Sequence, residues 1–212
     1  MFARADRCVC VTGVSASSMN QPDRERELSG LAQRAVSGDR GATEALLARL
    51  RPLIVRYCRA RLGAHDGGYG SADDVAQEVC IAVLTALPKY VDRGKPFVAF
   101  AYGIAAHKVA DAYRASSRVR SEPVGEFPDT ADHHDGPEQV AMAMDRMSRM
   151  TTLLETLPEA QREVVVLRVA VGMSADEVAN LLGMSPGAVR VSQHRALSRL
   201  RDLVARSPEA VA

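Results

Sequence analysis

The 212-residue sequence contains no tryptophan, and its aromatic content is only 4%. So few aromatics beside abundant Ala, Leu and Val argue against a β-sandwich and for short helices packed through aliphatic side chains. No apolar run approaches the roughly 18 residues that a membrane span needs. The opening "MFARADRCVCVTGVSASSMN" has an arginine-bearing head but lacks the apolar core of a secretory signal, so residues 1–27 read as a disordered tail. Helix-compatible sequence begins only after Met19, which makes Met19 as well as Met1 a candidate start. Cysteines are few. Cys58 and Cys80 lie in apolar-periodic segments as small hydrophobes, Cys8 and Cys10 form a lone C-x-C, and His133-His134 has no partner at ligand spacing. No metal or cofactor is expected, and the chain reads as cytosolic and reduced. Also missing are a nucleotide-binding glycine loop, paired catalytic carboxylates with a supporting site and a nucleophile beside a base, so the chain is not expected to be an enzyme.

Charge of one sign is scarce as well: the formal net charge is +1. Its distribution is uneven, however. Residues 121–140, "SEPVGEFPDTADHHDGPEQV", hold six acidic residues, three prolines and no Lys or Arg, the composition of a flexible acidic linker. Around it, "RLRPLIVRYCRARL" carries five arginines, and residues 190–206 carry five against the single Asp202. Distribution, rather than the total, bears on nucleic-acid binding. The expected architecture is all-α, with two small helical domains over residues 28–120 and 141–206, the linker between them and a short tail over 207–212.

In the second domain, "MSADEVANLLG" begins with Ser174 as N-cap and Glu177 three residues on, a capping box. Val178, Leu181 and Leu182 form one apolar face, and Gly183 suits the left-handed position that ends a helix. Ser185 then caps a second helix whose first position is Pro186. Val189, Ala196, Leu197 and Leu200 make its inward stripe. Two short capped helices about a tight turn have the spacing of a DNA-binding helix-turn-helix. Arg190 suits a bidentate pair with guanine, Ser192 and His194 suit base edges or phosphate, and Arg195 and Arg199 suit phosphates. Upstream, "MTTLLETLPEAQREVVVLRVAVG" supplies two more helices, broken at Leu157-Pro158, with Pro158 in the first turn of the second.

In the first domain, "SADDVAQEVCIAVLTALPKY" opens with Ser71 as N-cap and with Asp73 and Asp74 in the first turn, where the helix dipole favours anions. Val75, Val79, Ala82, Val83 and Ala86 turn inward. Asp74, Gln77, Glu78 and Ile81 follow the i, i+3, i+4, i+7 spacing of one exposed stripe. Next, Tyr90, Phe97, Phe100, Tyr102 and Tyr113 interleave with Arg93, Lys95, His107, Lys108, Arg114 and Arg118. That mixture suits single-stranded nucleic acid, although two of Phe97, Phe100 and Tyr102 are expected in the core. The arginines between Arg49 and Arg61 fit a partner contact and a solvated face equally well.

With these segments in order, "DDVAQEV", "KPFVAFAYGIAAHKVADAYR", "LPEAQREVVVLRV" and "MSADEVANLLGMSPGAVRVSQHRALSRLR", the chain resembles the extracytoplasmic-function (group IV, sigma-70 family) RNA polymerase sigma factors. The wording of "RPLIVRYCRARLG", "ALPKY" and "YGIAAHKVADAYR" is nearest to actinobacterial SigD-like members. The resemblance implies an alternative sigma factor, monomeric when free, that binds core RNA polymerase through its β′ clamp and β subunit. It would place domain two on the −10 element and domain four on the −35 element and promote melting. By that resemblance Asp73, Asp74, Gln77, Glu78 and Ile81 meet the polymerase. Tyr90, Arg93, Lys95, Phe97, His107, Lys108, Asp111 and Arg114 meet the −10 element, with one base flipped from the stack. Ser185, Gly187, Arg190, Ser192, His194, Arg195 and Arg199 meet the −35 element. An anti-sigma factor is a further partner that many relatives have. The sequence departs from the family at Phe100, commonly Trp, and at Gln193, usually aliphatic.

Two other readings differ in kind. A stand-alone operator-binding regulator would bind specific DNA tightly without polymerase, but it leaves the Asp74/Gln77/Glu78 stripe with no task. A helical interaction module would be indifferent to loss of Arg190 and Arg195.

Overall fold

The protein's structure, a computed structural model, describes residues 21–63, 71–92, 94–119 and 137–206. Among the described residues there are helices and turns and no strand, as the composition implied. The order is α1 (Gln21–Val36), α2 (Arg40–Leu62), α3 (Ala72–Ala86), a short 3-10 turn (Leu87–Lys89), α4 (Phe97–Val119), α5 (Pro137–Glu155), α6 (Glu159–Val165), α7 (Ala175–Leu182) and α8 (Pro186–Arg206). A π-helical turn, Val166–Ala170, extends α6. Most of the acidic segment lies outside the described residues, but its last few, expected as linker, open α5.

Each helix forms for a local reason. Asp39 caps α2 by accepting from the Ala42 amide at 2.9 Å. Ala42, Leu46, Leu50, Leu53, Ile54 and Tyr57 then fall three or four apart and are buried. In α3, Val75, Val79 and Val83 are buried as expected, while Ala82 and Ala86 stay half-exposed. Cys58 is buried, and burial pushes its thiol up to about 12; Cys80 is only half-buried. Pro158 stands at the N-cap of α6 instead of inside its first turn. α1 begins at Gln21, well before the expected Leu28.

The apolar cluster does not stop at a domain boundary. It runs from Leu28 and Ala32 of α1 through α2, α3 and α4 to Val164, Leu167, Val178, Val189 and Ala196 of the C-terminal helices. α2 packs on α5 and on the π turn, and α4 packs on α7. Polar contacts cross the same seam. Tyr57 donates to Glu163 at 2.8 Å, and Arg61 pairs with Glu163 at 3.4 Å and with Glu159. Arg24 lies 3.6 Å from Glu177.

Candidate polymerase and nucleic-acid interface

The α3 stripe is solvent-facing. Asp73, Asp74, Gln77 and Glu78 are exposed, and Ile81 is 56% exposed, unusual for so large an apolar side chain. Three of the four polar residues nevertheless have partners within the chain. Asp74 closes a capping box: its carboxylate accepts from the Ser71 amide at 2.8 Å, while its own amide donates to Ser71 Oγ at 3.2 Å. Asp73 takes a two-pronged pair from Arg59 at 2.7 and 2.6 Å. Glu78 accepts from Lys108 of α4 at 2.9 Å. Exposed pairs of this kind contribute little to stability and yield readily to a competing partner. The Arg49–Arg61 segment, open in the sequence to two readings, thus turns partly to its own chain: Arg49 pairs with Glu27 at 3.1 Å, Arg59 with Asp73, and Arg61 is buried.

The α3–α4 contact joins two residue sets that the sequence kept apart. Glu78 of the polymerase set and Lys108, Asp111 and Arg114 of the −10 set line one cleft. Arg114 also pairs with Asp111 one turn away. His107 is exposed on the same helix. At the start of α4, Tyr90, Phe97 and Phe100 form an aromatic cluster, with Tyr90 5.1 Å from Phe97 and 5.0 Å from Phe100 between ring centroids. Phe97 is fully buried, so its inclusion among the DNA contacts needs correcting: it backs Tyr90 and cannot itself touch a base. Tyr90 is half-buried, and desolvation raises its phenol above the ordinary value. Phe100, which stands where the family usually has Trp, is half-exposed, while Tyr102 joins Phe97 in the core. Lys95 is exposed, and Arg93 lies outside the described residues. The loop between is held by Asp92, which accepts from the Gly94 amide at 2.8 Å and from Gln33 Nε2 at 3.3 Å.

The helix-turn-helix forms as its caps dictate. The Ser174 amide donates to Glu177 Oε2 at 2.5 Å and the Glu177 amide donates to Ser174 Oγ at 3.0 Å. Gly183 ends α7 at φ 67°, ψ 32°, in the left-handed region. Ser185 accepts from the Ala188 amide at 3.2 Å and starts α8, with Gly187 exposed in its first turn. Val189 and Ala196 point into the core; Arg190, His194, Arg195 and Arg199 are exposed, and Ser192 is half-buried. Gln193 departs from the family for a visible reason. It sits on the inward side of α8 and accepts from Arg168 Nε at 2.9 Å, and Arg168 also donates to the Met173 carbonyl. A polar brace therefore replaces an apolar contact there. Sequence reasoning missed Val191, which is 49% exposed among the basic residues of α8. The signal was available, since Val191 falls one turn after Gly187 and outside the inward stripe.

Among the described residues no group of three or more His, Cys, Asp or Glu side chains is placed to hold a metal, and no helix is long and apolar enough to cross a membrane. What remains is a chain with an acidic stripe bearing one exposed isoleucine, a charged cleft beside an aromatic cluster and a basic helix on a helix-turn-helix. Comparison with known proteins agrees. Sigma-70 region 2 matches residues 46–119 and Sigma-70, region 4 matches residues 147–200. The fold and the two matched regions therefore define the sigma-70 class of transcription factor.

The ECF RNA polymerase sigma factor SigD of Mycobacterium tuberculosis is 53% identical over 189 residues, covering 89% of this chain and 88% of that protein. ShbA of Streptomyces griseus, also an ECF RNA polymerase sigma factor, is 51% identical, covering 85% and 97%. Among solved structures, CnrH in complex with the cytosolic domain of CnrY superposes with a TM-score of 0.63 at 28% identity, covering 85% of this chain and 99% of CnrH. The chain belongs to the extracytoplasmic-function (ECF) RNA polymerase sigma factors, alternative sigma factors that act in promoter recognition and transcription initiation.

Proposed function

We propose that the three exposed faces divide the work of initiation. The α3 stripe, with Gln77 and Ile81 at its centre, docks on core RNA polymerase. Tyr90, Lys95, His107, Lys108, Asp111 and Arg114 engage the −10 element, and α8 presents Arg190, His194, Arg195 and Arg199 to the −35 element. The observation that carries this reading is Ile81: a large aliphatic side chain 56% exposed within an acidic helix face suits a protein partner, and a DNA-only regulator has no use for it. The acidic neighbours give steering and register more than affinity. On the DNA side, Arg190 lies near the start of a recognition helix, where a bidentate pair with guanine forms, and the other cations hold phosphates.

The protein acts as a regulator of polymerase and brings no chemistry of its own. It works in the cytoplasm, where its polymerase is. CnrH is held by the cytosolic domain of another protein, which supports an anti-sigma factor as a further partner here.

The test is binding of the purified chain to core polymerase and to promoter fragments. Ile81→Asp weakens core binding on the order of tenfold or more, from loss of one buried aliphatic side chain, and leaves the fold intact. Arg190→Ala leaves core binding unchanged and lowers the preference of the holoenzyme for its −35 element by about 1–3 kcal/mol. Equal core affinity for wild type and Ile81→Asp would contradict the reading.

A further inference from the structure

The helix-turn-helix is tied by a polar contact that its own two helices do not supply. α6 leaves α-helical geometry at Val166–Ala170, where the Val171 amide reaches back five residues to the Val166 carbonyl at 3.1 Å. Single π turns of this kind recur at functional sites. Val164 to Leu167 are buried and Val169 is 59% exposed; between them Arg168 is half-buried and reaches towards the helix-turn-helix. Its Nε donates to Gln193 Oε1 of α8 at 2.9 Å, and its Nη1 donates to the carbonyl of Met173, the residue before the N-cap of α7. One guanidinium therefore links the entrance of α7 to the middle of α8. Both acceptors are neutral, so the contact acts through direction rather than through charge pairing. Arginine offers donors only, which obliges the Gln193 amide to present its oxygen and fixes that side chain's orientation.

Gln193 stands at a margin of α8. At 3.6 residues per turn it lies within roughly 60° of the buried Val189 and Ala196 and roughly 60° from the exposed Arg190, with exposed Val191 roughly 160° away. Val189, Ala196, Leu197 and Leu200 hold α8 against the core. Apolar contact has no direction, however, and lets a helix roll about its axis. A hydrogen bond is directional and resists the roll. A roll of about 10° carries a side-chain tip about 6 Å from the axis through about 1 Å. A binding constellation tolerates only about 0.5 Å.

We propose that Arg168 is a positioning residue for −35 recognition: through Gln193 it sets the roll of α8 and so the aim of its base-reading side chains, Arg190 first. The inference rests on the −35 reading above and extends it to two residues that act without touching a base. Arg168 and Gln193 form one link, so losing either has the same consequence as losing both. Without the link α8 still folds and still meets phosphates, but its choice among bases is blunted.

The test is competition binding of holoenzyme to fragments varied through the −35 element. It compares wild type, Gln193→Leu, Arg168→Met, Arg168→Lys and the double variant Arg168→Met/Gln193→Leu, each checked for a cooperative melt, with Arg190→Ala as reference. Arg190→Ala is expected to lose the preference at one base pair. Gln193→Leu, which changes no charge, should weaken the preference at that same pair about tenfold, within the range that one bidentate base contact supplies. Its log–log salt slope should stay at the wild-type value, because no phosphate contact is lost. Arg168→Met and the double variant should match this loss rather than add to it. Arg168→Lys keeps the charge but not the fork, and should stay impaired. If an Arg168 variant fails to fold, Gln193→Leu decides alone. An intact base ranking in Gln193→Leu beside a lost one in Arg190→Ala would overturn the brace and leave the −35 reading standing. So would losses that multiply in the double variant. A salt slope shallower by about 0.9 in Arg168→Met, with the ranking of Gln193→Leu intact, would make Arg168 a phosphate contact instead. A flattened ranking in Gln193→Leu beside an intact one in Arg190→Ala would support the brace and overturn the role given to Arg190.

Discussion

Among the described residues two capping boxes of the same chemistry stand in different surroundings, and they make a controlled pair. Ser71 and Asp74 close one at the exposed start of α3, and Ser174 and Glu177 close the other at the start of α7, where Glu177 is 4% exposed. Ser→Ala at either site removes the oxygen that accepts the amide of the third helical residue, a loss of about 1 kcal/mol at a typical N-cap. At Ser71 the orphaned Asp74 amide turns to water, and the net cost stays at about 0.5–1 kcal/mol. At Ser174 the Glu177 amide has no water to take, and leaving it unpaired adds about 1 kcal/mol or more. Ser174→Ala should therefore cost about 2 kcal/mol, roughly 4–8 °C in midpoint for a chain of this size, and Ser71→Ala about 1–4 °C. Thermal melts followed by circular dichroism measure both. Equal shifts, or a larger one at Ser71, would refute the claim that burial sets the value of the cap.

Three further outcomes can be checked. If Val191 packs on a thymine methyl in the −35 element, replacing that thymine with deoxyuridine weakens holoenzyme binding about threefold to fourfold, the worth of one buried methyl, and the loss disappears in Val191→Ala; a uracil scan with no sensitive position would contradict it. Glu78→Gln releases Lys108 from its 2.9 Å pair, so non-specific DNA binding by the free chain should rise and its log–log salt slope steepen by about 0.9; an unchanged slope would show that Lys108 does not reach phosphate. The backbone hydrogen bond from Ala42, then the pair with Arg34, holds the Asp39 carboxyl below its ordinary 3.8. Its contribution is therefore present above pH 3.8 and is lost as pH falls through the depressed value. Urea melts of wild type and Asp39→Ala should differ at neutral pH and converge in acid, and parallel pH profiles would contradict that origin.

Much of this was legible in the sequence because the relevant code is local. Ser174, Glu177, Gly183, Ser185 and Pro186 specify the helix-turn-helix within a few residues of one another, and the structure forms it as read. Val75, Val79 and Val83 follow from periodicity alone. Illegible features depend on contacts between distant parts of the chain. Phe97 looked like a DNA contact because it sits among cations, but the packing of Tyr90 and Phe100 against it takes it into the core. Asp74 has the spacing of a free stripe, yet its carboxylate turns back to Ser71. Arg61 looked like one more surface arginine. Its partner Glu159 is 98 residues away, and Tyr57 and Glu163 are separated by 106, so no periodicity could announce them. Gln193 looked like an anomaly in the recognition helix until Arg168 appeared opposite it.

The central claim is that one chain joins polymerase binding to two-element promoter recognition, and run-off transcription with purified core polymerase and a library of promoter fragments tests it most directly. Wild type should yield specific transcripts whose promoters share two sequence blocks, one for each DNA-facing helix set. Ile81→Asp and Arg190→Ala/Arg195→Ala should each abolish them by different routes, the first through lost core binding and the second through lost promoter choice. Specific transcripts that persist in both variants, or wild-type DNA binding that is tight and specific without polymerase, would contradict the account.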